Sequence, residues 1–140
     1  MIMKKILIID DEYSIREMYK TIFTDLGYAT ETAKNGLDAL GKLPGFRPDA
    51  ILLDVSMPEM NGPEFAKRLH EHPEPEFNKL PFVVLTGDDY SNVSTQYLFR
   101  GNPSCKAFLP KMADPDMVVR VIQSIIEPNN ATDTPAAPAT

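Results

Sequence analysis

The sequence predicts an α/β domain built on a parallel sheet that is buried on both faces. Three observations carry that prediction. Four short aliphatic runs, Ile6 to Ile9, Ala50 to Leu53, Phe82 to Leu85 and Ala107 to Leu109, lack the polar alternation of a half-exposed strand. Segments with helical periodicity and cap residues separate them, so that strand and helix alternate five times. Each run also stops at a residue suited to phosphoryl chemistry: Asp10-Asp11, Asp54, Thr86 and, through Pro110, Lys111. Ligands of open α/β sheets bind beyond the carboxyl ends of the strands, so these residues are expected to converge on one shallow site.

The first strand is expected at about Lys4 to Asp10. A helix from Ser14 to Leu26 follows, with Ile15, Met18, Tyr19, Ile22, Phe23 and Leu26 on one stripe, and Gly27 ends it as a C-terminal cap. Tyr28 to Ala33 interleaves Thr30, Glu31 and Thr32, which suits a strand at the sheet edge. A short helix from Asn35 or Gly36 to Leu43 is expected to stop at Pro44-Gly45. The third strand, Ala50 to Asp54, opens into the turn-rich loop Val55-Ser56-Met57-Pro58-Glu59-Met60-Asn61-Gly62. Pro63 suits the first turn of the next helix, which runs to about His70. His72 to Lys79 carries two prolines and reads as loop. Leu80 to Thr86 is the fourth strand, and a polar helix is expected near Tyr90 to Phe99. Asp114-Pro115 caps a last helix with a wide apolar face of Met117, Val118, Val121, Ile122, Ile125 and Ile126. Residues 1–127 thus form one domain, and 128–140, PNNATDTPAAPAT, are expected to be a disordered tail or linker stub.

Composition narrows the function. A chain of 140 residues makes one domain, and a domain of that size buries roughly 68–70% of its unfolded surface, enough for a core without disulfides. Cys105 is the only cysteine and reads as a buried, inert thiol beside the last apolar run. Lys4 and Lys5 precede only a strand-length apolar run, unlike a signal peptide, and no run approaches the ~18 residues of a membrane span; the expected location is the cytoplasm. Net charge is −6, with 20 acidic against 14 basic residues, which disfavours direct nucleic-acid binding.

Ile9-Asp10-Asp11-Glu12, Asp54 within Leu53-Asp54-Val55-Ser56-Met57-Pro58-Glu59-Met60-Asn61-Gly62, Thr86-Gly87 and Lys111 together resemble the response-regulator receiver domain. This is the phosphoacceptor module of two-component signalling, and the resemblance covers about residues 3 to 127. It implies a flavodoxin-like (βα)5 three-layer sandwich with a five-stranded parallel sheet of order 2-1-3-4-5. It also implies a signalling switch rather than an enzyme, one that assists its own phosphorylation and dephosphorylation. Asp54 would take a phosphoryl group from a histidine kinase or histidine phosphotransfer protein. Asp11, Asp54 and the Ser56 backbone carbonyl would bind Mg²⁺, with Mn²⁺ as a substitute, and Asp10 would act mostly through water. Thr86 and Lys111 would contact the phosphoryl oxygens. Phe108 stands where the family places an aromatic switch coupled to Thr86, and the face of the fourth helix, fifth strand and fifth helix would meet a downstream protein.

The chemistry has reasons of its own. Carboxylates sharing a site repel by on the order of 4 kcal/mol per pair at ~4 Å with an effective dielectric of ~20, so without a cation one of them tends to take up a proton. A hard, oxygen-seeking ion keeps Asp54 ionised, and Lys111 adds fixed positive charge where phosphoryl oxygens gain charge. Plainer roles compete: Asp10-Asp11 as a helix cap, Thr86 as a turn former, Lys111 as a solvated charge. His70 and His72 read as solvated. The sequence departs from the family's pattern where Pro110 precedes Lys111 and Met112 follows it, so that the Lys111-Met112 bond is either trans in a reshaped loop or a strained cis form. Gly101-Asn102-Pro103-Ser104 is also unusual before the last strand. Two alternatives stay open: a receiver cut from a longer response regulator or hybrid kinase, and, in another class, a Mg²⁺-dependent phosphohydrolase with an aspartyl nucleophile. Such hydrolases more often show Asp-x-Asp at one strand end, which is absent here, and a cap for substrate binding, for which there is no room.

Overall fold

Each aliphatic run becomes a strand because it can bury both faces. In the computed structural model, which describes residues 3–87 and 93–127, the strands are β1 (Lys5–Ile9), β2 (Ala29–Ala33), β3 (Ala50–Asp54), β4 (Phe82–Thr86) and β5 (Cys105–Pro110). All pairs are parallel and the order is β2-β1-β3-β4-β5, with the weakly apolar β2 at one edge, as predicted. The helices are α1 (Tyr13–Asp25), α2 (Gly36–Phe46), α3 (Gly62–His70), α4 (Pro75–Asn78), α5 (Val93–Tyr97) and α6 (Pro115–Ile126). Among the described residues no helix is long and apolar enough to cross a membrane.

Successive strand residues point to opposite faces, which divides the core into two layers. Leu7, Ile9, Ile51, Leu53, Phe82 and Val84 pack with Leu43, Phe65, Leu69 and Phe77 from the α2, α3 and α4 side. Ile6, Ile8, Leu52, Val83 and Leu85 pack with Tyr19 and Phe23 of α1 and Val118, Ile122 and Ile126 of α6. Each such aliphatic side chain contributes about 1.5–3 kcal/mol when fully buried.

Helix ends follow local chemistry. Gly27, at φ 98, sits just past α1; its N–H donates to Thr24 O and that of Tyr28 to Phe23 O, a Schellman closure that needs the left-handed residue. Asn35, Asn61 and Asp114 accept from the backbone N–H of Asp38, Glu64 and Asp116 and cap α2, α3 and α6.

Three elements differ from expectation. Helix α2 does not stop at Pro44-Gly45 but continues to Phe46. Proline forfeits the one intrahelical bond its N–H would make; in exchange Phe46 packs against the core, and its carbonyl accepts from Lys5 Nζ at 3.1 Å. Left-handed Arg47, φ 54, then closes the helix on Leu43 O. The segment expected to be loop, His72 to Lys79, contains α4, because Pro75 starts a turn that drives Phe77 fully into the core. There His72 is not merely solvated: its ring lies edge-on to Phe77 at 4.9 Å and its Nδ1 accepts from Glu74 N–H at 3.1 Å, whereas His70 is exposed. Helix α5 ends at Tyr97, two residues before Phe99, in i to i−3 bonds; its expected start at Tyr90 lies outside the described residues, as does the expected tail 128–140. With α4 inserted, the fourth and fifth predicted helices are α5 and α6.

Candidate acidic site at the strand ends

Strand order reverses between β1 and β3, and the crevice this opens at their carboxyl ends is where an α/β sheet binds ligands. Asp10 follows β1 directly, Asp54 is the last residue of β3, Thr86 is the last of β4, and Lys111 follows β5. Asp10, Asp54 and Thr86 are 2%, 3% and 1% exposed. Lys111 reaches across the crevice: its Nζ lies 3.2 Å from Asp10 Oδ1, 3.3 Å from Asp54 Oδ2 and 2.7 Å from Glu12 Oε1. Its approach to Asp54 is an ion pair without the angles of a hydrogen bond, since Asp54 Oδ2 has no hydrogen-bond partner among the described residues. The Lys111 backbone N–H donates to Thr86 O at 2.9 Å, tying the β5 exit to the end of β4.

Burial pushes the Asp54 carboxyl up to about 7; the Asp10 charge adds to the rise and Lys111 opposes it. Asp10 is also raised by burial, against the Glu12 N–H and Lys111. Burial works against the Lys111 charge, yet Glu12, Asp10 and Asp54 outweigh it and hold the ammonium above its ordinary range. The crowding of like charge expected from sequence is therefore present. Asp10, Asp11 and Glu12 each offer a carboxylate oxygen within 4.8 Å of the others, and the Asp11 carboxyl, like Asp10, acts to raise Asp54. Oxygen donors alone, with Asp10 Oδ2 and Asp54 Oδ2 buried and without hydrogen-bond partners among the described residues, suit a hard divalent cation. Ser56, two residues beyond Asp54 in the loop, is exposed.

That loop is built for close approach. A Cβ on Gly62 would come within 2.4 Å of Asp54 O, and Gly62 N–H donates to Val55 O at 2.8 Å. Met60 N–H donates to Pro58 O across Glu59, whose φ of 68 marks a strained γ-turn. On the far side of the site, the Lys111-Met112 bond is trans, like every peptide bond among the described residues; Ala113 N–H closes a turn on Pro110 O, and Met112 is 94% exposed. The reshaped-loop alternative is the one observed. Pro110 costs β5 little, because an edge strand has a free side for the residue that lacks an N–H.

Phe108 is half-buried, paired with Val84, and its ring meets Phe99 edge-on at 5.5 Å. An irregularity in the β4–β5 ladder, where Phe82 pairs with Cys105 but Val83 with Ala107, puts Cys105 and Phe108 against the same core layer. Two site residues carry no signal by themselves. Glu12 belongs to the acidic motif but only the fold brings Lys111 to it, and Arg16 holds the β1 exit by donating to Asp10 O at 2.7 Å. A separate cleft of about 600 Å³ between α3 and the 98–102 turn holds none of the predicted site residues.

Comparison with known proteins agrees with this geometry. The sequence profile of the response regulator receiver domain matches residues 6–123, and the chain belongs to that family. Among curated relatives, the response regulator MprA of Mycobacterium sp. (strain KMS) is 29% identical over 135 residues, covering 96% of this chain and 56% of that protein. Sporulation initiation phosphotransferase F of Bacillus subtilis (strain 168) is 46% identical over 69 residues, 49% of this chain and 56% of that protein. The chain thus spans about half the length of the curated relatives it matches. Among solved structures, the Vibrio cholerae chemotaxis protein CheY4 superposes with a TM-score of 0.77 at 31% identity, covering 89% of this chain and 99% of that one. A CheY-like receiver domain from Methanospirillum hungatei JF-1 gives 0.80 at 22% identity over 94% and 99% of the two chains, a likeness of fold alone. As a receiver domain, the chain is a signalling module of two-component systems, whose response regulators pair with histidine kinases and downstream targets.

Proposed function

We propose that this chain is a phosphoacceptor switch in which Asp54 takes a phosphoryl group from the phosphohistidine of a histidine kinase or phosphotransfer protein. The observation that carries the reading is Lys111 Nζ held within 3.3 Å of Asp54 at the crevice, beside the end of β4. In the transfer an Asp54 oxygen bonds to phosphorus as the bond to the donor imidazole nitrogen breaks, and the imidazole leaves with the electron pair. Lys111 and Thr86 stabilise the charge that gathers on the equatorial oxygens. Asp11, Asp54 and the Ser56 carbonyl, supported by Asp10, would hold a divalent cation such as Mg²⁺. When bound, that ion supplies positive charge that keeps Asp54 ionised and neutralises the phosphoryl oxygens.

Residues 1–127 form the receiver unit in this reading, and the α5, β5 and α6 face meets a downstream protein once Asp54 is modified. Exposed Tyr97 and Leu98 near the end of α5 and Met117 on α6 supply apolar contact there. The test is intact-mass analysis after incubation with Mg²⁺ and acetyl phosphate. One acid-stable, base-labile phosphoryl adduct is expected on the wild type and none on Asp54→Asn; equal labelling of the two removes Asp54 as acceptor. Multiple-turnover phosphate release from small esters would instead support the hydrolase alternative.

A further inference from the structure

The phosphoryl chemistry makes no use of the cleft between α3 and the 98–102 turn. Its volume of about 600 Å³ falls within the ~300–1,000 Å³ usual for ligand clefts. Two elements wall it. Helix α3 buries Phe65, Ala66 and Leu69 and leaves Glu64, Lys67 and Arg68 exposed, with Glu71 exposed just past its end. Opposite, the chain leaves α5 in tight turns: Arg100 N–H donates to Tyr97 O and Asn102 N–H to Phe99 O, and Gly101 takes φ 83, a conformation that favours glycine. Phe99 is thereby buried at 4% exposure, while Leu98 lines the cleft at 58% exposure.

The lining joins apolar and cationic groups. Ala66, Leu98 and Phe99 supply the apolar part, and Lys67, Arg68 and Arg100 outnumber Glu64 and Glu71 on a chain whose net charge is −6. Arg68 and Glu64 pair with each other at 3.4 Å. Lys67 and Arg100 have no ion-pair partner among the described residues. Cations in the last turn of α3 offset the negative end of that helix, but Arg100 comes from a different element and brings a second unpaired charge to the same cleft. Its guanidinium lies over the exposed Tyr97 ring at 5.6 Å, next in the chain to Leu98. A phosphate group or a nucleic acid would meet two carboxylates in the wall and gain nothing from Leu98. A protein segment with acidic side chains beside one apolar side chain matches both parts of the lining.

We propose that this cleft is a docking surface for such an acidic, apolar-tipped segment of a partner protein. The apolar side chain of the segment packs on Leu98 and over Phe99, and its carboxylates pair with Lys67 and Arg100. Burial of the apolar tip supplies affinity, and the two cations supply specificity and a faster encounter. The inference goes beyond the phosphoacceptor reading and holds whether or not Asp54 takes a phosphoryl group.

The test selects a random peptide-display library on the full, unmodified chain and measures the enriched peptide by fluorescence anisotropy and backbone amide shifts. Enriched peptides should carry acidic residues beside an apolar one, and the shifts should centre on residues 64–71 and 98–102. Lys67→Glu with Arg100→Glu should weaken binding at least about tenfold, since like charges then face each other. Leu98→Ser should weaken it too, and added salt should act on the wild type more than on the charge-reversed variant. All three positions are exposed, so the variants should keep the wild-type melting temperature. No enrichment, enriched peptides without acidic residues, shifts centred elsewhere, or an affinity unchanged by the charge reversal overturns the proposal. Inorganic phosphate alone moving the same amides as far as the peptide would make the cleft an anion site, and self-association abolished by the reversal would assign it to a second copy of this chain; either result overturns a partner segment. The selection uses neither phosphodonor nor metal, so failed labelling of Asp54 leaves its result standing.

Discussion

Asp54 carries the heaviest electrostatic strain among single residues, and the strain has a sign that can be measured. Its folded pKa is raised from 3.8 to about 7, mainly by burial and then by Asp10. Stability linked to this group is therefore complete below about pH 4 and is lost as pH rises through about 7, because the unfolded chain releases the proton first. Metal-free Asp54→Asn should flatten that fall and raise the melting temperature near pH 7.5 by roughly 3–8 °C, for about 1–2 kcal/mol of relief in a domain of this size. Thermal melts in chelator from pH 4 to 8 check it; parallel curves for the two proteins would show that the carboxylates do not crowd. Cys105 gives a second residue-level expectation. Burial lifts its thiol from 9.0 to about 11, so iodoacetamide at pH 8 should modify the folded protein roughly 100-fold more slowly than the denatured one. Mass spectrometry over time reads both rates, and similar rates would place the thiol in solvent. The acidic pair, Asp54 and Lys111 were legible as single residues, since each ends an apolar run. The Glu12 contact was not, because Lys111 arrives from a strand end 99 residues further along the chain.

At the scale of elements, the loop from Val55 to Asn61 is the segment that local chemistry shapes most tightly. Gly62 lies too close to the Asp54 carbonyl to carry a side chain, with 2.4 Å to an added Cβ. Gly62→Ala should therefore cost about 1–3 kcal/mol or more, by overpacking against backbone, and should weaken Mg²⁺ binding together with stability. Urea denaturation and a metal titration of the same variant measure both; a stable variant with unchanged affinity would mean that the loop is freer than its contacts indicate. Helix α4 offers a cleaner measure of packing. Phe77 is fully buried and Arg47 lies over its ring at 5.2 Å, so Phe77→Ala should lose about 3–5 kcal/mol. A loss below about 1 kcal/mol on urea denaturation would return the segment to the surface loop its prolines suggested. That misreading has a clear source. In sequence, proline signals a break in a helix, whereas at Pro75 it starts a turn and at Pro44 it is tolerated because Phe46 anchors the helix end.

Across the whole molecule, the proposed switch must carry a change at Asp54 to the α5, β5 and α6 face. The structure offers a connected route: Thr86 pairs with Pro110, Phe108 with Val84, and the Phe108, Phe99 and Phe82 rings follow one another at 5.5 and 6.0 Å. If Thr86 moves toward the phosphoryl oxygens, Phe108 can turn into the space it leaves. Thr86→Ala should then keep metal binding while weakening the link to the output face. Typical couplings of about 1–3 kcal/mol would change partner affinity roughly 5- to 150-fold on phosphorylation. NMR with and without beryllofluoride, which mimics the aspartyl phosphate, is the measurement. Shifts in the wild type should reach Phe108, α5 and α6, and those in Thr86→Ala should stop near Asp54; wild-type shifts that never leave Asp54 would make the protein a phosphoryl carrier instead.

The sequence alone determined the five βα units, the edge position of β2, the caps at Gly27 and Asp114, and the four apolar runs that end at Asp10, Asp54, Thr86 and Lys111. It could do so because periodicity, cap chemistry and the end of an apolar run are local properties of the chain. Tertiary structure alone decided the rest: the trans turn at Lys111-Met112, the helical Phe77 segment, the Glu12 contact of Lys111, and the ladder irregularity that aims Phe108. Each of these depends on which distant groups meet in a buried place, where the cost of an empty or unpaired position outweighs the preference of any single residue.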